Sequence, residues 1–206
     1  VSIAAIDITK AFPSANHDAI LINLLKRKFP LFLVDLFDSW LRRFSTRVKW
    51  KNTLSQSFGL RIGVNQGSVL APALFALLID DIISNCTNHL LGTVLVYADD
   101  ILIICRSRSN LQRLFTFIET ELLAINLILN INKCVSLRIG LRYEKSCCPI
   151  VSTSGKCINW VTELRYLGVY VLNGKKFRCS FHTAKCKFNR AVNSVLSKTL
   201  GVVSEE

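Results

Sequence analysis

Methionine is missing from all 206 residues, and no aspartate follows Asp100. The first absence sets the expectation of a piece cut from a longer chain, since a translation product starts with methionine and residue 1 is a Val inside an apolar run. The second confines any Asp-based chemistry to the first hundred residues. A bilayer-length apolar run is also lacking. The longest stretches, 69–83 and 90–105, are short of a membrane span and each contains an Asp pair, so they read as buried core elements. Eight cysteines are present, yet none shows paired CxxC spacing. Cys86, Cys105 and Cys134 sit among apolar neighbours and are expected to pack as small hydrophobes. The late group (Cys147, Cys148, Cys157, Cys179, Cys186, with His182) is read as structural rather than as a zinc site. No internal repeat or low-complexity linker interrupts the chain.

Half of the residues are apolar and mean hydropathy is +0.36, which excludes extended disorder and leaves material for a sizeable core. Lys and Arg number 26 against 14 acids, a formal charge of +12 that points to an anionic partner. Residues 1–103 carry ten Lys and Arg against eight acids, and residues 104–206 carry sixteen against six. The basic excess therefore lies almost wholly in the second half. Arg106, Arg108, Arg113, Arg138, Arg142, Lys185, Lys187 and Arg190 are expected to contact phosphate rather than to read bases.

Periodicity predicts a buried strand over 1–8, helices over 17–28 and 33–44, and a polar–apolar hairpin region over 45–63. The second helix is expected to turn Leu36, Phe37, Trp40 and Leu41 inward. A helix over 69–84 follows, with Ser68 as a candidate cap and Pro72 tolerated in the first turn. TVLVY (93–97) and ILIIC (101–105) are two β runs separated by Ala98-Asp99-Asp100. Then come a helix over 108–126, a loop and strand over 127–140, an irregular stretch over 143–162, a strand over 164–172 and a helix over about 179–200. This order is an α+β pattern built on antiparallel hairpins.

Asp7 ends one buried strand and Asp99-Asp100 joins two others. Three carboxylates at the end of an apolar sheet repel one another and are poorly solvated, and a bound cation relieves both costs. Oxygen-only ligation with few protein ligands suits Mg²⁺, and a pair of such ions suits phosphoryl transfer. The plainer alternative is that Asp99-Asp100 is a turn dipeptide.

TVLVYADDILIIC resembles the YxDD hairpin of reverse transcriptases. AAIDITKAFPSANHDAIL resembles the family's first catalytic motif, GVNQGSVLAPALFALLIDDI its Gln-Gly-Ser block and following helix, and NINKCVSLRIG the segment in which Asn and Lys precede a strand. LRYLGVYV resembles the primer-grip hairpin, and FHTAKCKFNRAVNSVLSKTL the start of the thumb. The order is the family's, over essentially the whole chain, and the likeness is nearest to non-LTR (LINE-type) retrotransposon enzymes. Two departures stand out: Pro13 occupies a position where relatives often carry an acid, and Ala71 one where Ser is frequent.

The resemblance implies a polymerase palm (an antiparallel sheet packed on helices) over 1–162 with a fingers-side insertion at about 30–62. It implies a primer-grip hairpin and thumb start over 163–206. It implies Asp7, Asp99 and Asp100 as catalytic carboxylates holding two Mg²⁺ (or Mn²⁺) with the Ile8 carbonyl. Phe12 falls at the position of the steric gate that favours deoxynucleotides; a core aromatic is the alternative. Gln66, Gly67, Tyr97 and Lys133 would contact the nucleotide, although a polar turn residue and a solvated lysine remain open for Gln66 and Lys133. Tyr166, Leu167 and Gly168 would seat the primer end, or serve as plain strand residues. Lys10 is either a phosphate contact or a surface lysine. His17, His89 and His182 are read as structural or solvent residues. The implied partners are an RNA template, a DNA primer, dNTPs and the fingers and thumb segments of the same polyprotein, with no membrane. The implied location is intracellular, in nucleus and cytoplasm. A decayed, inactive retroelement copy and a non-enzymatic RNA-binding module are the rival expectations.

Overall fold

The computed structural model describes residues 1–65, 67–88, 91–144 and 146–199; Gln66 and His89, named above, lie outside the described residues. The chain folds as β1 (Ser2–Asp7), α1 (His17–Lys26), α2 (Leu31–Arg42), four two-residue strands β2 (Ser45–Thr46), β3 (Lys49–Trp50), β4 (Thr53–Leu54) and β5 (Phe58–Gly59), then α3 (Ala71–Asn88), β6 (Gly92–Tyr97), β7 (Asp100–Cys105) and α4 (Arg108–Ala124). Beyond these lie β8 (Val135–Arg138), β9 (Ile150–Val151), β10 (Cys157–Ile158), β11 (Trp160–Val161), β12 (Glu163–Tyr166), β13 (Val169–Leu172), β14 (Arg178–Ser180) and α5 (His182–Thr199).

The central sheet has the order β11-β8-β1-β7-β6, antiparallel except for the β11–β8 pair. Alternation of side chains along β1 and β7 divides two cores. Ala4, Ile6, Ile101 and Ile103 face one side and pack with Ile20 and Leu24 of α1, Phe75, Leu78 and Ile79 of α3, and Leu111, Phe115 and Ile118 of α4. Ile3 and Leu102 face the other side, where they meet Leu137 and Leu164, with Ala5, Ile104, Tyr166 and Val171 around them. Helices thus cover one face and the small β12-β13-β14 sheet covers the other. An apolar cavity of about 350 Å³ remains between the two sheets.

Several expectations need correction. Residues 164–172 are not one strand. Tyr166 pairs with Val169 across a two-residue turn, Leu167-Gly168, in which φ is +47° and +82°. Both central residues with positive φ suit a tight hairpin, and Leu is an unusual occupant. The last helix begins at His182 rather than 179, because Arg178–Ser180 pairs with β13. In α2, Leu36 is exposed, while Val34 and Leu41 are the buried positions. Ser68 is not the cap of α3: its N–H bonds Asn65, and the first helical bond runs from Leu74 N–H to Leu70. The 45–63 region forms two small ribbons, β2–β5 and β3–β4, that are largely exposed on both faces. Among the described residues no helix is long and apolar enough to cross a membrane.

All eight cysteines are free thiols, and Cys86, Cys105 and Cys134 are buried as their apolar contexts predict. Burial pushes these three thiols up to about 11. At pH 8 the shift leaves roughly 100-fold less reactive thiolate than an ordinary cysteine carries. Iodoacetamide labelling followed by peptide mapping is therefore expected to modify exposed Cys148 and Cys157 first and to spare the three buried thiols; equal labelling rates would contradict this packing.

Candidate active site

The β1–β7 register sets Asp7 opposite Asp100, and the β6–β7 register sets Asp100 opposite Tyr97. Directly paired residues share a face, so Asp7, Asp100 and Tyr97 form one row across three strands. That face is the one carrying Ile3, Ala5 and Leu102, toward β12 and β13. The β6–β7 turn is Ala98-Asp99. Ala98 holds φ +53°, as the first position of a tight hairpin turn requires but an alanine resists. Asp99, Asp100 and Tyr97 are exposed and Asp7 is half-buried, so the carboxylates are better solvated than the apolar strands around them predict.

Like charge and partial burial act on this row. Loss of solvent, then the neighbouring Asp99 and Asp7 carboxylates, push the Asp100 carboxyl above the ordinary carboxylate range. Tyr166 is raised as well, by burial first and then by the charge of Asp100, which places this tyrosine within the field of the carboxylates.

The strand after Asp7 is held on its other edge. Asn130 N–H donates to the Asp7 carbonyl (2.9 Å) and Thr9 N–H to the Ile128 carbonyl (2.8 Å), flanking an isolated Ile8–Leu129 bridge. In such a pair the bridging residue's own carbonyl points away from its partner, so the Ile8 carbonyl is turned toward the β7 side. The turn through Asn130 also carries Lys133 back to the site, with Nζ 3.6 Å from an Asp7 carboxylate oxygen. The Lys133 side chain is 68% exposed, so the pair adds little to stability.

Phe12 opens a short 3₁₀ turn and is half-buried. Its ring stacks on Phe75 of α3 with centroids 5.0 Å apart, so one side rests on the core. The Gly63-Val64 segment docks beside it: Val64 N–H donates to the Phe12 carbonyl (2.9 Å) and Gly63 N–H to the Ala15 carbonyl (2.8 Å). His17 is buried and its Nε2 lies 2.7 Å from the Gly63 carbonyl, which makes Nε2–H the donor and His17 a structural residue, as expected. Gly63 has φ +91°, and a Cβ there would lie 2.6 Å from the Pro13 carbonyl oxygen. Gly67 has φ +88° and open space around it. Lys10 is exposed at a turn with φ +47°.

Sequence reasoning missed Gly63, Asn130 and Phe75 as supports of the site. A close approach of backbone to Pro13 and a ring under Phe12 leave no local signal in a single sequence. The donor set of Asp7, Asp99, Asp100 and the Ile8 carbonyl is all oxygen and surplus in negative charge, which fits a hard divalent cation. Among the described residues, no three His, Cys, Asp or Glu side chains already converge as a preformed metal centre.

A mainly antiparallel sheet with helices behind, and an acidic hairpin at one strand end, defines the palm of a nucleic-acid polymerase. The chain belongs to the reverse transcriptase (RNA-dependent DNA polymerase) family, whose description matches residues 1–171. It is 31% identical over 144 residues to the Pol polyprotein of the type-1 retrotransposable element R2 of Nasonia vitripennis, covering 66% of this chain and 14% of that protein. It is 29% identical over 179 residues to the RNA-directed DNA polymerase of the mobile element jockey of Drosophila melanogaster, covering 81% and 19%. The likeness to non-LTR retrotransposon enzymes read from the motifs is thus upheld. The chain spans a fifth or less of these relatives. Among solved structures, apo telomerase from Candida tropicalis, truncated from its C-terminal domain, shares the fold with a TM-score of 0.64 at 14% identity, over 87% of this chain and 35% of that one.

Gly63→Ala is expected to destabilise the fold by roughly 2–3 kcal/mol through the Pro13 clash and the left-handed backbone, measured by urea denaturation. A loss below about 0.5 kcal/mol, the range of an indifferent surface change, would contradict the described contact.

Proposed function

We propose that this chain is the catalytic palm of an RNA-directed DNA polymerase, in which a primer 3′-hydroxyl oxygen attacks the α-phosphorus of a dNTP and pyrophosphate leaves. The observation that carries the reading is the row formed by Asp7 and Asp100, with Asp99 in the adjoining turn, on the sheet face toward the β12–β13 hairpin.

Asp7, Asp99, Asp100 and the Ile8 carbonyl would hold two Mg²⁺ ions, with Mn²⁺ as substitute. Bound there, the ions supply positive charge that lowers the barrier to forming the attacking and leaving oxyanions. Phe12, braced on Phe75, acts as the gate under the sugar and disfavours a 2′-hydroxyl. Gln66, Gly67 and Tyr97 lie along the nucleotide. Lys133, already beside Asp7, offers its ammonium to phosphate charge and a proton to the leaving group. Tyr166, Leu167 and Gly168 seat the primer end; the influence of the Asp100 charge on Tyr166 supports this.

In this reading 1–162 is the palm with a fingers-side insertion near 30–62, and 163–206 is the primer grip and thumb start. RNA template, DNA primer, dNTPs and other segments of the same polyprotein are the partners, and the nucleus and cytoplasm are the locations.

In the full open reading frame, Asp99→Ala is expected to cut primer extension by about 10³-fold or more, while Asp35→Asn on exposed α2 leaves it unchanged. EDTA stops synthesis and Mg²⁺ or Mn²⁺ restores it. Robust synthesis by Asp99→Ala, or a wild-type protein that binds RNA yet never extends a primer, would sink the polymerase reading in favour of a binding module or inactive copy. Phe12→Val is expected to raise ribonucleotide use relative to dNTPs about tenfold in competition assays, and an unchanged ratio would reduce Phe12 to a core aromatic.

A further inference from the structure

A second charged surface stands at the opposite end of the central sheet. Arg106 and Arg108 follow the end of β7, Arg138 ends β8, and Arg142 follows two residues after Gly140. β1 pairs Ser2 with both Cys105 and Arg138, which brings these two distant stretches of chain side by side. The four arginines line a single cleft of about 260 Å³ together with Ser107 and Gly140.

Among the described residues, no acidic side chain and no aromatic ring lines this cleft, which Val1 and Ser2 also border. Two of its arginines are anchored. Arg108 donates to the Pro149 carbonyl at 2.7 Å, and the Arg138 guanidinium lies 6.0 Å from the centre of the Trp160 ring. Glu144, the nearest acid along the chain, lines the adjoining cleft on the other side of Arg138 and accepts the Tyr143 hydroxyl. Ser107 caps α4 through Asn110 N–H (3.1 Å), so the partly positive start of that helix also borders the cleft. Arg106 and Arg142 bring two exposed guanidinium groups to one space, where their forked donors match phosphate.

We propose that this cleft binds a backbone phosphate of a nucleic-acid strand, at a site separate from the carboxylates. The described lining offers no ring on which a base stacks, so contact is with the backbone and independent of sequence. Ser2 and Asp7 are five residues apart on β1, about 17 Å at the rise of an extended strand. That distance is too great for the triphosphate of a nucleotide held at Asp7. The ligand is therefore a strand running beyond the copying site. Only the choice of ligand rests on the polymerase reading; the cationic cleft does not.

Arg106 and Arg142 are the exposed pair, so replacing them spares the anchoring contacts of Arg108 and Arg138. In the full open reading frame, Arg106→Gln with Arg142→Gln is titrated with a labelled single strand of RNA, and separately of DNA, across a salt series. Affinity for the cognate strand is expected to fall about tenfold, and the slope of log K against log salt to fall by about 0.7, as one lost single-strand phosphate contact predicts. The double Lys variant restores the slope. Extension of a saturating primer–template too short to reach the cleft stays unchanged. The strand whose binding falls, RNA or DNA, identifies the source of the phosphate. Unchanged affinity and slope for both strands would overturn the proposal, as would competition by inorganic phosphate alone without any effect on nucleic acid. Loss of the short-substrate extension would also overturn it, by assigning these arginines to the catalytic cleft or the fold. A wild-type protein that makes no DNA would count against the polymerase reading and leave the salt-slope result standing.

Discussion

The register between β1 and β7 is the constraint on which the rest of the molecule depends. Pairing runs without interruption from Ser2↔Cys105 to Asp7↔Asp100. A shift of one residue would send every side chain of β1 to the wrong face and carry Asp7 away from Asp100. Two carboxylates facing each other across strands oppose this pairing. Buried hydrophobic pairs enforce it: Ala4↔Ile103 and Ile6↔Ile101 on the helix side, with Ile3, Leu102 and Leu137 joined on the other. Full burial of such side chains is worth about 1.5–3 kcal/mol each, so several of them outweigh one like-charge contact in a partly solvated site. The apolar interior thus holds the acidic row in a position it would not take by itself.

The same register accounts for the other end of the sheet. Where Ser2 meets Cys105 and Arg138, arginines gather as they do nowhere along the sequence taken alone. The sheet therefore carries acids at one end and cations at the other. This division gives spatial meaning to the uneven charge of the chain, in which the basic excess falls in the second half. Part of that excess returns to the carboxylates through Lys133, held beside Asp7 by the turn that begins at Asn130.

Much of this fold was legible because periodicity and burial agree. Leu111, Leu114, Phe115, Ile118 and Leu122 share a helical face in the sequence and are buried in α4. The two β runs around Ala98-Asp99 form the expected hairpin, and the first strand ends at Asp7 as read. What stayed hidden depends on backbone geometry or on partners far along the chain. LRYLGVYVL reads as one apolar strand because Leu167 is no turn former, yet it holds positive φ beside Gly168. Leu36 fits an apolar stripe but is left exposed, since α2 buries only Val34 and Leu41 fully. Gly63 gives no hint of its contact with Pro13, some fifty residues earlier. The carboxylates were named from the sequence; the row that Tyr97 completes needed the strand register.

The acidic end of this sheet offers an all-oxygen donor set suited to divalent cations. Electron paramagnetic resonance of Mn²⁺ titrated into the full-length protein with primer, template and dNTP tests it directly. The expected result is a bound-Mn²⁺ signal that excess Mg²⁺ displaces and that Asp7→Asn and Asp99→Asn each abolish. Undiminished Mn²⁺ binding in both variants, with the fold intact by circular dichroism, would contradict it.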